Sequence, residues 1–132
     1  MSARVDVVLV CWNDRERIGT AIDSVLAQDV ETNVVVSDNG STDGSVDFLR
    51  ARYGAEVTIL ENGANLGFAA GANRAIEATS LPYIYLLNPD AELKAGALRE
   101  IVNFLDAHPR CGIAGSRIYN TDGSIQRDAV GE

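Results

Sequence analysis

The run VDVVLVC, residues 5–11, is apolar and β-branched almost throughout, and three more such runs follow at intervals: NVVVS (33–37), EVTIL (56–60) and PYIYLL (82–87). An uninterrupted apolar strand belongs in a sheet covered on both faces, because a half-exposed strand would alternate apolar with polar. Between the runs the period changes from two to that of a helix. Ile18, Ile22, Val25 and Leu26 form one stripe, and Val46, Leu49 and Tyr53 a second. A small-residue segment, Phe68 to Thr79, suits close packing on a sheet. Leu98, Ile101, Val102 and Leu105 form a last stripe that His108-Pro109 ends. Asn13 is placed to cap the first helix, with Glu16 as its capping-box partner. Four βα units in succession predict one α/β domain over residues 1–132, a three-layer α/β/α sandwich with a mainly parallel sheet. CGIAGSRIY is a candidate fifth strand, and Asp122-Gly123 a hairpin turn signal.

Composition narrows the partners. The 132 residues carry a formal net charge of −8 and no basic patch, so nucleic acid is not an expected partner. A phosphate on a small ligand is compatible, since backbone N–H groups or a bound cation can balance it. No apolar run approaches the roughly 20 residues that span a bilayer, and MSARVDVVLV lacks the pattern of a signal peptide. The expected location is cytoplasmic, with peripheral association at the inner face of the membrane compatible with it. Cys11 and Cys111 lie beside apolar residues without metal-ligand spacing, and are expected to be buried free thiols.

Open α/β sheets bind ligands outside the carboxyl ends of their strands, where strand order switches. Polar residues gather there. The first strand ends in Cys11, Trp12 and Asn13; the second in Asp38, Asn39, Gly40 and Ser41. The third is followed by Glu61, Asn62, Asn65 and Gly67, and the fourth by Asn88, Asp90 and Glu92. Common loops are missing: there is no G-x-G-x-x-G after the first strand, no P-loop and no G-x-S-x-G elbow. Carboxylates and amides at strand ends suit a nucleotide base and a hard cation, and magnesium prefers one or two carboxylates plus substrate phosphates. Plainer readings stand beside this one. Asn88-Pro89-Asp90 can cap a helix beginning near Ala95; Asp38 can cap the helix after NGST; Trp12 can be core; Asn65 can serve only the turn before Gly67.

VDVVLVCWND, VVVSDNGSTDGS, NLGFAAGANRAI and YIYLLNPDAEL resemble, in order, motifs of family 2 glycosyltransferases of the GT-A fold, the nucleotide-diphospho-sugar transferase type, in particular the rhamnosyltransferase-like branch. The resemblance implies an inverting transfer from a nucleotide-diphosphate sugar, a dTDP- or UDP-sugar, to a saccharide or lipid-linked acceptor, with Mg²⁺ or Mn²⁺. It implies that Asp38 bonds the base and that Trp12 and Asn13 touch the nucleoside. Asn65 and Gly67 lie on a loop closing over the nucleoside, with Asn73 and Arg74 nearby. Asp90 becomes the metal-binding acid of a D-x-D segment whose first acid is Asn88 here. Glu92 falls outside that segment, and without a turn its side chain points away from Asp90's. The family's catalytic base lies further downstream, and neither Asp122 nor Asp128 matches it. The expectation is an incomplete domain: the donor-binding half, its acceptor half absent and its catalytic residues unknown. The competing expectations are a non-catalytic nucleotide-sugar-binding module and a subunit that self-associates through an unpaired sheet edge.

Overall fold

The computed structural model describes residues 3–126. Four strands, β1 (Val5–Cys11), β2 (Thr32–Asp38), β3 (Val57–Glu61) and β4 (Tyr83–Leu86), alternate with four helices, α1 (Arg15–Leu26), α2 (Ser45–Tyr53), α3 (Phe68–Glu77) and α4 (Ala97–Ala107). All strand pairs are parallel and the spatial order is β3-β2-β1-β4. The chain steps outward from β1 to β3, then crosses back over the sheet to place β4 on the far side of β1. Strand order therefore reverses between β1 and β4.

The register sorts the side chains. Val5, Val7 and Leu9 of β1 share a face with Val34 and Val36 of β2 and pack against Ile18, Ile22 and Val25 of α1, Leu49 of α2, and Leu98 and Val102 of α4. Val8 and Val35 point the other way, onto Ala75 of α3. The α/β/α expectation holds, with three helices on one face and one on the other. Small residues let α3 approach closely: Gly71 and Ala72 are buried, and a Cβ at Gly71 would stand 3.0 Å from a methyl of Val10.

Several local expectations need correction. Leu26 belongs to the predicted stripe but is exposed, because α1 ends there and its last residue overhangs the core. Asn13 does not cap α1. Asp14 holds that position, its carboxylate accepting the N–H of Trp12, while Asn13 takes a left-handed conformation (φ 53°). Cys11 is buried as expected, but Cys111 is only half-buried, its Sγ directed at the carbonyl of the exposed Ile113. No strand forms over 111–119; among the described residues that region contributes only an isolated antiparallel bridge between Tyr119 and Ile125. A strand needs a ladder partner, and Gly112 and Gly115 weaken this segment as one. The turn at Asp122-Gly123 is present, with the Gly123 N–H donating to the Asn120 carbonyl. Asp128 lies outside the described residues. No described helix is long and apolar enough to cross a membrane.

Candidate functional site

The ends of β1 and β2 are tied together through Ser41. Its hydroxyl donates to Asp38 Oδ1 at 2.6 Å and accepts the Asn13 N–H at 2.9 Å. The Asn13 side-chain oxygen accepts the Thr42 N–H at 2.8 Å. These two contacts explain the left-handed backbone of Asn13: the turn is fixed by the neighbouring loop, and Asn tolerates that region better than most residues. Just below, Cys11 is fully buried, and burial pushes its thiol up to about 11, partly offset by hydrogen bonding to Ser41. A thiol so held is protonated near neutrality and is no nucleophile.

Asp38 is 3% exposed. Beyond the Ser41 hydroxyl, its Oδ2 accepts the N–H of Gly40 at 3.2 Å and of Ser41 at 3.0 Å. It therefore shapes the loop after β2 and does not cap α2, which begins at Ser45 after a left-handed Gly44. A cleft of about 400 Å³ opens beside it, lined also by Gly40, Ser41, Glu61 and Gly63. That is within the usual range for small-ligand sites, roughly 300–1,000 Å³. Trp12 is 52% exposed at the mouth of β1, which rules out the core reading of this residue.

The loop after β3 is laced to β2 by side-chain amides. Asn62 donates to Ser37 Oγ and to Asn39 Oδ1, both at 2.8 Å, and Asn39 donates to the Gly67 carbonyl at 3.0 Å. Asn65 Oδ1 accepts the Gly67 N–H at 3.0 Å, so Asn65 does serve the turn into α3. Asn65 and Gly67 are both exposed, on the same edge as Trp12 and the Asp38 cleft. In the sequence Asn39 and Ser41 fall within VVVSDNGSTDGS, and Asn62 is one more polar residue after a strand. Their spacing carries no motif that would mark them as the ties between loops.

At the end of β4 the chain turns sharply, with the Ala91 N–H donating to the Asn88 carbonyl at 3.0 Å and Pro89 and Asp90 at the corner. Proline suits the first corner position because its φ is preset. Asn88 and Asp90 are exposed, and α4 starts only at Ala97, after a left-handed Gly96. The helix-cap reading of Asn88-Pro89-Asp90 therefore fails, since the cap belongs to a different turn. The same turn removes the strand alternation that set Glu92 apart from Asp90, and Glu92 is exposed as well. No group of three or more metal-ligating side chains forms among the described residues. An exposed carboxylate at Asp90 beside the Asn88 amide still fits a hard cation that takes its remaining ligands from a diphosphate. Trp12 and Asn13 follow β1 directly, on the same sheet edge as this turn and at the switch in strand order. Arg74 is exposed on α3.

Residues 6–130 match the family model described as Glycosyl transferase family 2. The chain is 31% identical over 115 residues to N-acetylglucosaminyl-diphospho-decaprenol L-rhamnosyltransferase of Mycobacterium tuberculosis, covering 79% of this chain and 37% of that protein. It is similar to the solved structure of mannosyltransferase PcManGT from Pyrobaculum calidifontis in complex with GDP-Man and Mn²⁺, with a TM-score of 0.76 and 25% identity, covering 89% of this chain and 36% of that one. It is also similar to S. aureus TarS 1–349 in complex with UDP-GlcNAc, with a TM-score of 0.74 over 91% of this chain and 41% of that one. Identity there is 17%, so the likeness is one of fold. The chain spans well under half the length of each of these proteins.

Proposed function

The chain belongs to glycosyl transferase family 2, and we propose that it is the donor-binding half of an inverting glycosyltransferase of the GT-A fold, taking a dTDP- or UDP-sugar. One observation carries the reading: the switch in strand order sets an exposed aromatic (Trp12), a buried carboxylate beside a cleft (Asp38) and an exposed carboxylate on a tight turn (Asp90) along one sheet edge.

Each residue has a role that the geometry supports. The Asp38 carboxylate accepts the imino N–H of uracil or thymine. Trp12 offers a flat apolar face to the base or ribose, and Asn13 is held beside it by Ser41 and Thr42. Asn65 and Gly67 border the nucleoside from the loop before α3. Asn88 and Asp90 face the diphosphate, and a divalent cation held by Asp90 would supply the positive charge that this acidic chain lacks. In an inverting transfer an acceptor hydroxyl oxygen attacks the anomeric carbon from the face opposite the leaving group. The bond to the diphosphate oxygen breaks, the diphosphate keeps the electron pair, and the hydroxyl proton passes to a base. Asp122 is a poor base, because the hydroxyl and N–H of Ser124 hold its carboxyl below the usual range. On this reading the base and the acceptor surface lie outside the 37% of the mycobacterial relative that this chain covers. The name of the mycobacterial relative supports a saccharide on a polyprenyl diphosphate as the acceptor class.

A second reading is a nucleotide-sugar-binding module without transfer activity. Calorimetric titration with UDP, dTDP and GDP, each with Mn²⁺ and with EDTA, tests the shared core of both. Uracil and thymine nucleotides should bind, more tightly with Mn²⁺. No binding of any of them would end the proposal. Turnover of a dTDP- or UDP-sugar separates enzyme from module.

A further inference from the structure

Asn39 is an uncharged polar residue with 2% of its surface exposed, and its side chain and N–H are all engaged. Its N–H donates to the Cys11 carbonyl at 2.8 Å. Its Oδ1 accepts from Asn62, and its Nδ2 donates to the Gly67 carbonyl at 3.0 Å and to Asn65 Oδ1 at 3.4 Å. One side chain thus touches both ends of the loop between β3 and α3. The Gly67 carbonyl it holds also accepts the Gly71 N–H, which opens the first turn of α3.

Two glycines make room for this arrangement. A Cβ at Gly71 would lie 3.1 Å from Asn39 Nδ2 and 3.2 Å from its Oδ1, tighter than ordinary contact. A Cβ at Gly40 would meet the backbone of Ala64 at 3.3 Å, on the same loop, and Gly40 has φ +79°. The arrangement also leaves a polar atom without a partner: Asn62 Oδ1 is buried with no hydrogen bond among the described residues. An apolar residue at position 39 would leave the Gly67 carbonyl with the Gly71 N–H as its one remaining donor and strand the Asn62 N–H that Asn39 accepts.

We infer that Asn39 is a positioning residue for nucleotide binding: it fixes the Asn62–Gly67 loop against the end of β2, so that Asn65 and Gly67 are in place before the nucleotide arrives. The inference rests on the donor-site reading above. A loop ordered in advance does not have to be ordered at binding, so affinity is higher than for the same contacts on a loose loop. Asn39 acts through Asn65 and Gly67 and touches no ligand itself.

The test compares Asn39→Ala and Gly71→Ala with Val102→Ala, a buried change on α4 away from the loop. Gly71→Ala leaves Asn39 in place but crowds its amide, so the pair does not depend on one variant folding. Binding of UDP and dTDP is read by calorimetry and by the fluorescence of Trp12, the single tryptophan. Both loop variants should bind about tenfold more weakly, to the same degree in EDTA and in Mn²⁺, while Val102→Ala keeps the parent's affinity. Parent-like affinity in Asn39→Ala overturns the inference, as does an equal loss in Val102→Ala. If the parent itself binds no nucleotide, the donor-site reading fails separately, and hydrogen exchange decides the role of Asn39. Faster exchange at Asn62, Gly67 and Gly71 in Asn39→Ala than in Val102→Ala sustains the anchoring, and equal exchange overturns it.

Discussion

Asp38 offers the sharpest test of base recognition, because its hydrogen bonds can be counted. An ionised carboxylate has about four acceptor positions. The Gly40 and Ser41 amides and the Ser41 hydroxyl occupy three, which leaves room for one more donor. Asp38→Asn changes that count. Its single oxygen can satisfy the two amides, and its NH₂ can donate to Ser41 Oγ, which has a second lone pair beside the one used by the Asn13 N–H. The Ser41 hydroxyl hydrogen, displaced from the carboxylate, can turn to Cys11 Sγ, 3.8 Å away, so the variant should fold. Two bonds to a charged acceptor become bonds to a neutral one, a loss of about 1 kcal/mol each. The thermal midpoint should fall by roughly 5–10 °C. The opening for a fourth donor is gone, and an N–H stands where the imino group of uracil or thymine must point. UDP and dTDP should therefore bind on the order of ten- to a hundredfold more weakly, with and without Mn²⁺. Cytosine has an acceptor at that ring position, so CDP should lose less and the preference for UDP over CDP should shrink or invert. Titration of the three nucleotides against parent and variant measures this directly. UDP affinity within about twofold of the parent, with an unchanged UDP-to-CDP preference, would refute the assignment of Asp38 to the base.

Asp90→Asn should leave stability within about 0.5 kcal/mol, since its exposed carboxylate caps no helix, yet abolish the affinity gained on adding Mn²⁺ while binding in EDTA is unchanged. If Glu92→Gln erases the Mn²⁺ response and Asp90→Asn does not, the cation sits on the other acid. An alkylating reagent at mildly alkaline pH should label Cys111 and spare Cys11 in the folded protein, as mass spectrometry of the two peptides would show; equal labelling would contradict the burial of Cys11. Stability should also decline in alkali. Burial raises Cys11 to about 11, and burial together with the hydrogen bond to Asp23 raises Tyr53 to about 12, so the unfolded chain loses these protons first. The native state then holds more protons, and the thermal midpoint should be level below about pH 9 and fall between about pH 9 and 12. A midpoint unchanged across that window would contradict both shifts.

The sheet is legible in the sequence because its strands are buried on both faces, and β-branched runs such as Val5–Cys11 leave little choice of structure. The edge carrying the site is legible for the same reason, once topology fixes where the strands end. What escapes depends on contacts between distant loops. Asn13 reads locally as a cap, but Ser41 and Thr42 hold it in a left-handed turn. Asn88-Pro89-Asp90 reads equally well as a helix start, and only the position of Gly96 shows where α4 begins. Asn39 looks like any polar residue after a strand until Gly71 and Gly67 come against it. The candidate fifth strand misleads because an apolar segment shows its propensity in sequence but not the ladder partner it lacks.

The pairing of β1 with both β2 and β4 makes the sheet a ruler. Asp38 ends the strand on one side of β1 and the turn carrying Asp90 follows the strand on the other, so the strands that present them lie two spacings apart, about 10 Å. Hydrogen-bond ladders set that spacing between the strands. A ligand gripped at both ends must match it: a nucleoside monophosphate held by its base stops short of Asp90, and a triphosphate carries its outer charge past it. On the proposed donor-site reading, length would then select for the diphosphate before any sugar is recognised.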